Sequence, residues 1–185
     1  MFKKEIYQKR REELKKLVGH GVILILGNSN VGMNYPDNPY RFRQDSSFLY
    51  FFGLDYPNYV GLIDVDNSKE YIFANDYSDE DALWMGRQPL VKDLAFAVGV
   101  EKSVALNDLN TFVKTFNKEE IHFFPPYRDS NKILLSKLLN LSIDEVQNVV
   151  SSRLIEASVR LRSIKSEEEI VELEKASAIG YMMHT

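Results

Sequence analysis

The chain has 185 residues, of which 44% are hydrophobic, 27% charged and 12% aromatic, with a formal net charge of −4. That balance describes a globular protein able to bury its own core, and the acidic total argues against general nucleic-acid binding, which needs a basic face. The absence of cysteine removes disulfide scaffolds, zinc ribbons, iron–sulfur sites and thiol nucleophiles, and no apolar run approaches the roughly 20 residues of a membrane-spanning helix.

Residues 3 to 18 read as a helix, with Ile6, Leu14, Leu17 and Val18 at helical spacing and a Lys/Arg-rich remainder expected to be a solvated face. Gly19 and Gly21 supply its stop. Val22 to Leu26, a continuous aliphatic run, reads as a strand buried on both faces. Asn28 to Pro39 is polar and turn-rich, hence a long loop. Phe48 to Phe52 reads as a second strand ended by Gly53, with Arg41 and Arg43 expected to bond Asp45 and pin the loop to the sheet edge.

Tyr59 to Val65 and Glu70 to Ala74 read as a hairpin around Asp66-Asn67-Ser68-Lys69. Short helices are expected at Ser78 to Trp84 and Lys92 to Ala97, and a strand at Ser103 to Leu106. Asn107 or Asp108 can cap a helix running to about Phe116. Ile121 to Phe124 is a further strand, stopped by Pro125-Pro126. Helices follow at Ser130 to Leu139 and after Ser142, whose spacing to Glu145 is that of a capping box. Strands alternating with helices predict an α/β fold: a mixed β-sheet flanked by helices on both faces. At Ser166-Glu167-Glu168-Glu169 a second capping box opens a helix still running at Thr185 without a stop signal, which implies that the chain is cut short there.

No phosphate-binding glycine motif, H-E-x-x-H or G-x-S-x-G is present. His20, His122 and His184 are widely separated, and His122 is expected at a core or edge position of its strand rather than on a metal. Glu119-Glu120 and Asp79-Glu80-Asp81 read as solvated acids. Trp84, the only tryptophan, stands beside Gly86 and Arg87, where it can act as a hydrophobic plug or as a recognition platform.

Three ordered segments resemble the N-terminal domain of Xaa-Pro aminopeptidases (aminopeptidase P), of the prolidase and creatinase group. The loop-and-strand pattern Y-P-[YF]-R-Q-[DN]-S-x-F-x-Y-x-[TF]-G stands as Asn38 to Gly53, with an extra Arg-Phe pair inside Tyr40 to Arg43. The W-x-G turn stands as Trp84-Met85-Gly86. The catalytic-domain entry R-x-I-K-S-x-E-E-I stands as Arg162 to Ile170, followed by Ala176, Ile179 and His184.

The resemblance implies an N-terminal domain over residues 1–160 and, over 161–185, a linker and the first helix of a truncated "pita-bread" catalytic domain. It implies a parent enzyme that hydrolyses the bond between an N-terminal residue and a following proline, using two divalent metals, usually manganese, whose ligands lie beyond this chain. No catalytic or metal-binding residue is therefore expected here. Trp84 is the one substrate-binding candidate, since relatives use this Trp near the substrate, sometimes across a subunit contact. Expected partners are peptides with proline second and further copies of the chain, with no nucleic acid or membrane, in the cytoplasm. Alternatives are a prolidase, and a peptide- or protein-tail-binding module that has lost peptidase chemistry.

Overall fold

The computed structural model describes residues 1–184. A five-stranded sheet carries the fold, in the order β4-β3-β2-β1-β5, built from β1 (Val22–Leu26), β2 (Val60–Asp64), β3 (Lys69–Phe73), β4 (Lys102–Val104) and β5 (Ile121–Phe123). β1 runs antiparallel to β2, with Val22 opposite Asp64 and Leu26 opposite Val60, and parallel to β5. β2 and β3 form the expected hairpin, and β3 pairs in parallel with β4. Asp64 holds the hairpin turn, its Oδ1 accepting from the backbone N–H of Asn67 at 3.1 Å.

The uninterrupted apolar run of β1 has a physical reason. Ile23 and Ile25 enter one core with Ile63 and Ile72, while Val22 and Leu24 enter the opposite core with Leu62 and Phe73. Each fully buried aliphatic side chain contributes about 1.5–3 kcal/mol. The first core is covered by α1 (Lys4–Val18), α2 (Ser46–Phe52), α4 (Val91–Ala97) and α8 (Ser152–Ser163). The second is covered by α5 (Leu109–Val113), α6 (Asp129–Leu139) and α7 (Ile143–Asn148). Two helices, α3 (Asp79–Met85) and α9 (Glu167–His184), bury no residue. The expected mixed sheet with helices on both faces is what forms.

Four expectations need correction. Phe48 to Phe52 is helical, not extended. Asp45 caps α2 by accepting from Ser47 and Phe48 N–H at 2.8 and 2.9 Å, and Gly53, with φ 68°, closes it. The buried aromatics are Phe48, Phe51 and Phe52, the i, i+3, i+4 spacing of a helix, so packing overrides aromatic β-propensity. Capping also occupies Asp45, and among the described residues no ion pair joins it to Arg41 or Arg43.

The basic surface of α1 is not all solvated: Arg10, Arg11 and Lys15 are buried against α2, β3 and α9. Finally, Asp108 makes no capping bond. A 3-10 turn at Leu106–Asp108 leads into α5, which ends at Val113, short of Phe116.

Candidate functional site

The strand directions put four carboxyl ends at one edge of the sheet. β1 is parallel to β5, β3 is parallel to β4, and β2 runs against both β1 and β3. From this edge leave the long segment 27–45 after β1, the excursion 74–90 after β3, and the Pro125-Pro126 turn after β5. Sheets of this kind bind ligands at the carboxyl ends of their strands, where loops rather than helices meet the opening.

The excursion after β3 is held at its base and free at its tip. Asp76 Oδ1 accepts from Val91 N–H at 2.6 Å, locking the departure of the segment to its return at α4. Asn75 Oδ1 accepts from Leu106 N–H at 2.9 Å. Beyond that clamp Ser78 and Asp81 form a capping box for α3, with bonds of 2.9 and 3.1 Å, and acids fill the first turn where the helix dipole favours them.

Gly86, at φ 73°, ends the helix just after Trp84 and Met85. Trp84 and Leu83 are each 80% exposed and Met85 53% exposed. A tryptophan this exposed is not a plug of this domain's core.

Next to it, the segment after β1 is fixed by a buried amide. Gln44 Oε1 accepts from Asn28 N–H at 2.6 Å and Asp45 N–H at 2.9 Å, while Nε2 donates to Tyr56 O at 2.7 Å. Asn28 Nδ2 donates to Arg43 O at 2.8 Å and to the Tyr127 hydroxyl at 3.0 Å, stitching the loops after β1 and β5 together. The pinning expected of an Arg–Asp bond is thus performed by Gln44. Only its place between Arg43 and Asp45 marked it, since a bridging amide has no periodic signature. Tyr59 borders the same edge, and burial, reinforced by Tyr77, Tyr56 and Asp76, pushes its phenol above the usual range, so it stays protonated.

Of the remaining candidates, His20 lies at the opposite edge, just before β1, and the acids at 79–81 lie on α3 within the excursion. His122 is half-buried, its Nδ1 2.7 Å from Ser151 Oγ and its Nε2 3.2 Å from His20 O, with the two imidazoles edge-on at 5.9 Å. Burial lowers its pKa. His184 stands at the end of α9. Glu119, Glu120 and the acids at 79–81 face water or half-face it. Among the described residues no three of His, Asp and Glu converge in a way that could hold a metal ion, so no metal-assisted step is assigned to these residues.

Known proteins share this arrangement. Residues 7–123 match the family described as aminopeptidase P, N-terminal domain. The chain is 28% identical over 190 aligned positions to the Xaa-Pro aminopeptidase of Escherichia coli strain K12, covering 97% of this chain and 43% of that protein. It is 22% identical to a protein of Aspergillus terreus named "Probable Xaa-Pro aminopeptidase", covering 95% of this chain and 35% of the other. The fold superposes on a single-site variant of Escherichia coli aminopeptidase P with a TM-score of 0.78 at 22% identity, over 99% of this chain and 44% of that one. The chain therefore spans between about a third and somewhat under half of the proteins it matches. With most of its length inside the family match and its sheet and flanking helices in the same arrangement, the chain belongs to the aminopeptidase P N-terminal domain family.

Proposed function

We propose that residues 1–160 are the non-catalytic N-terminal domain of a metal-dependent Xaa-Pro aminopeptidase, and that 161–185 form the linker and first helix of its catalytic domain. The observation that carries this reading is Trp84, 80% exposed on a pinned excursion of a chain whose curated relatives are named Xaa-Pro aminopeptidases. The bond before proline is a tertiary amide with no N–H to recognise, so selectivity has to come from an apolar wall against the pyrrolidine ring. An indole face on a firm stem supplies such a wall at low entropic cost. Two divalent metals, manganese in this reading, supply the hydrolytic chemistry from the catalytic portion. The residues of this chain position peptide and assemble copies of the enzyme, in the cytoplasm.

The test is steady-state kinetics of the full-length protein on Xaa-Pro tripeptides and Xaa-Pro dipeptides. Trp84→Ala lowers kcat/KM for the tripeptide about tenfold, equivalent to about 1.4 kcal/mol of transition-state stabilisation, with Trp84→Phe in between. Kinetics unchanged in Trp84→Ala remove Trp84 from the pocket. Cleavage confined to dipeptides identifies a prolidase, and peptide binding without cleavage identifies a binding module.

A further inference from the structure

A cavity of about 220 Å³ opens at the carboxyl edge of the sheet, lined by Arg41, Arg43 and Arg128 together with Ser29, Tyr40 and Phe42. The arginines come from two different loops, Arg41 and Arg43 from the segment after β1 and Arg128 from the turn after β5. Among the described residues their guanidiniums take part in no ion pair and no hydrogen bond.

Two of the acids near them in sequence are engaged elsewhere. Asp45 caps α2, and Asp129 pairs with Lys132 at 3.2 Å. Arg128 is also the residue from which α6 starts, and the Ser29 and Ser130 hydroxyls, 3.3 Å apart, draw the loop onto that helix end. The positive end of the α6 dipole, with Asp129 of its first turn paired to Lys132, therefore stands beside three arginines that form no ion pair among the described residues.

We propose that this cavity is a binding site for an oxyanion, a carboxylate or a phosphate group. Three guanidinium forks lining one cavity offer the planar, two-pronged donors that match such oxygens. The cavity has room for an acidic side chain or a phosphate group. Tyr40 and Phe42 give the cavity an apolar side, which suits an acidic group carried on a peptide. The site stands on its own geometry and does not depend on the peptidase reading.

Isothermal titration of the 185-residue chain at fixed ionic strength tests it, with three probes: an acetylated dipeptide ending in glutamate, the same dipeptide with its carboxylates amidated, and inorganic phosphate. Saturable binding in about the millimolar range or tighter is expected for at least one charged probe, and none for the amidated one. Arg41→Gln and Arg128→Gln each weaken it about tenfold, Arg41→Lys weakens it less, and Lys102→Gln on β4 leaves it unchanged.

Because these side chains make no bond within the fold, the variants keep the melting temperature of the parent. Binding of the peptide but not phosphate names a carboxylate source, and the reverse names a phosphate source. Absence of saturable binding by both charged probes, equal binding of the amidated peptide, or arginine variants that bind like the parent overturns the proposal.

Discussion

Arg11 is fully buried on α1, and its Nε donates to Glu70 Oε2 on β3 at 2.7 Å. Its other nitrogens reach Phe51 O at 2.8 Å on α2 and Val98 O at 3.0 Å just after α4, so one guanidinium joins four elements. Burial pulls its pKa below the usual value while Glu70 opposes that pull, and the ion stays charged because its donors are matched. Arg11→Met leaves those carbonyls and part of the Glu70 carboxylate without partners, with Lys15 Nζ at 3.3 Å as the remaining cation. The expected loss is about 3–5 kcal/mol, read as a fall in the urea midpoint. A midpoint within error of the parent would contradict this role.

Asp45 and Gly53 bracket α2, and each can be tested alone. Asp45→Ala removes the cap of Ser47 and Phe48 N–H and costs about 1 kcal/mol, whereas Asp45→Asn retains an acceptor and costs less. Gly53→Ala is more damaging, because the backbone sits at φ 68° and a Cβ there runs into the Tyr7 ring. Thermal melts should rank the variants Asn, then Ala at 45, then Ala at 53, from mildest to worst.

The same residues explain what could be read from the sequence. β1 and the hairpin were legible because burial on two faces demands an unbroken apolar run and the turn demands Asp and Asn. α2 was not, since five consecutive aromatic or aliphatic residues fit a strand as well as a helix, and only the cap at Asp45 separates them. α8 escaped notice because its buried stripe includes Ala157 and Ser158, side chains too small to stand out. The burial of Arg10 and Arg11 was hidden for a related reason: a charged residue enters a core only when distant carbonyls and acids are there to receive it. At the candidate site, Trp84 was conspicuous by its uniqueness, but the clamp between Asp76 and Val91 that closes the base of its excursion joins positions fifteen apart.

His122 gives the fold an acid-sensitive joint. Desolvation lowers its folded pKa below about 6.5, the unfolded value, so the unfolded chain binds the proton more readily. The contribution of neutral His122 is fully present above that unfolded value. It is lost as pH falls through the depressed folded value, because protonation then occurs in the partly buried site beside His20 and Arg153. Melting temperatures recorded across this window should fall more steeply for the parent than for His122→Asn. Parallel curves would show that the imidazole does not couple to folding.

α9 should exchange its amide hydrogens in a gradient. Its first turn is fastened: Ser166 and Glu169 form a capping box with bonds of 3.0 and 3.4 Å, and Glu169 lies 3.5 Å from the buried Arg10. Leu173 still borders a cavity shared with Leu49 and Tyr50. Farther along, Ile179, Met182 and Met183 are exposed, so little apolar burial resists local opening there. In the 185-residue chain, protection should therefore decline from Glu169 towards Met183, while α1, with its buried Leu14 and Val18, exchanges only on global unfolding. In the full-length protein the distal half should gain protection if residues 161–185 belong to the catalytic domain. Uniform strong protection along α9 in the monomeric short chain would place the helix with the first domain and move the proposed boundary past it.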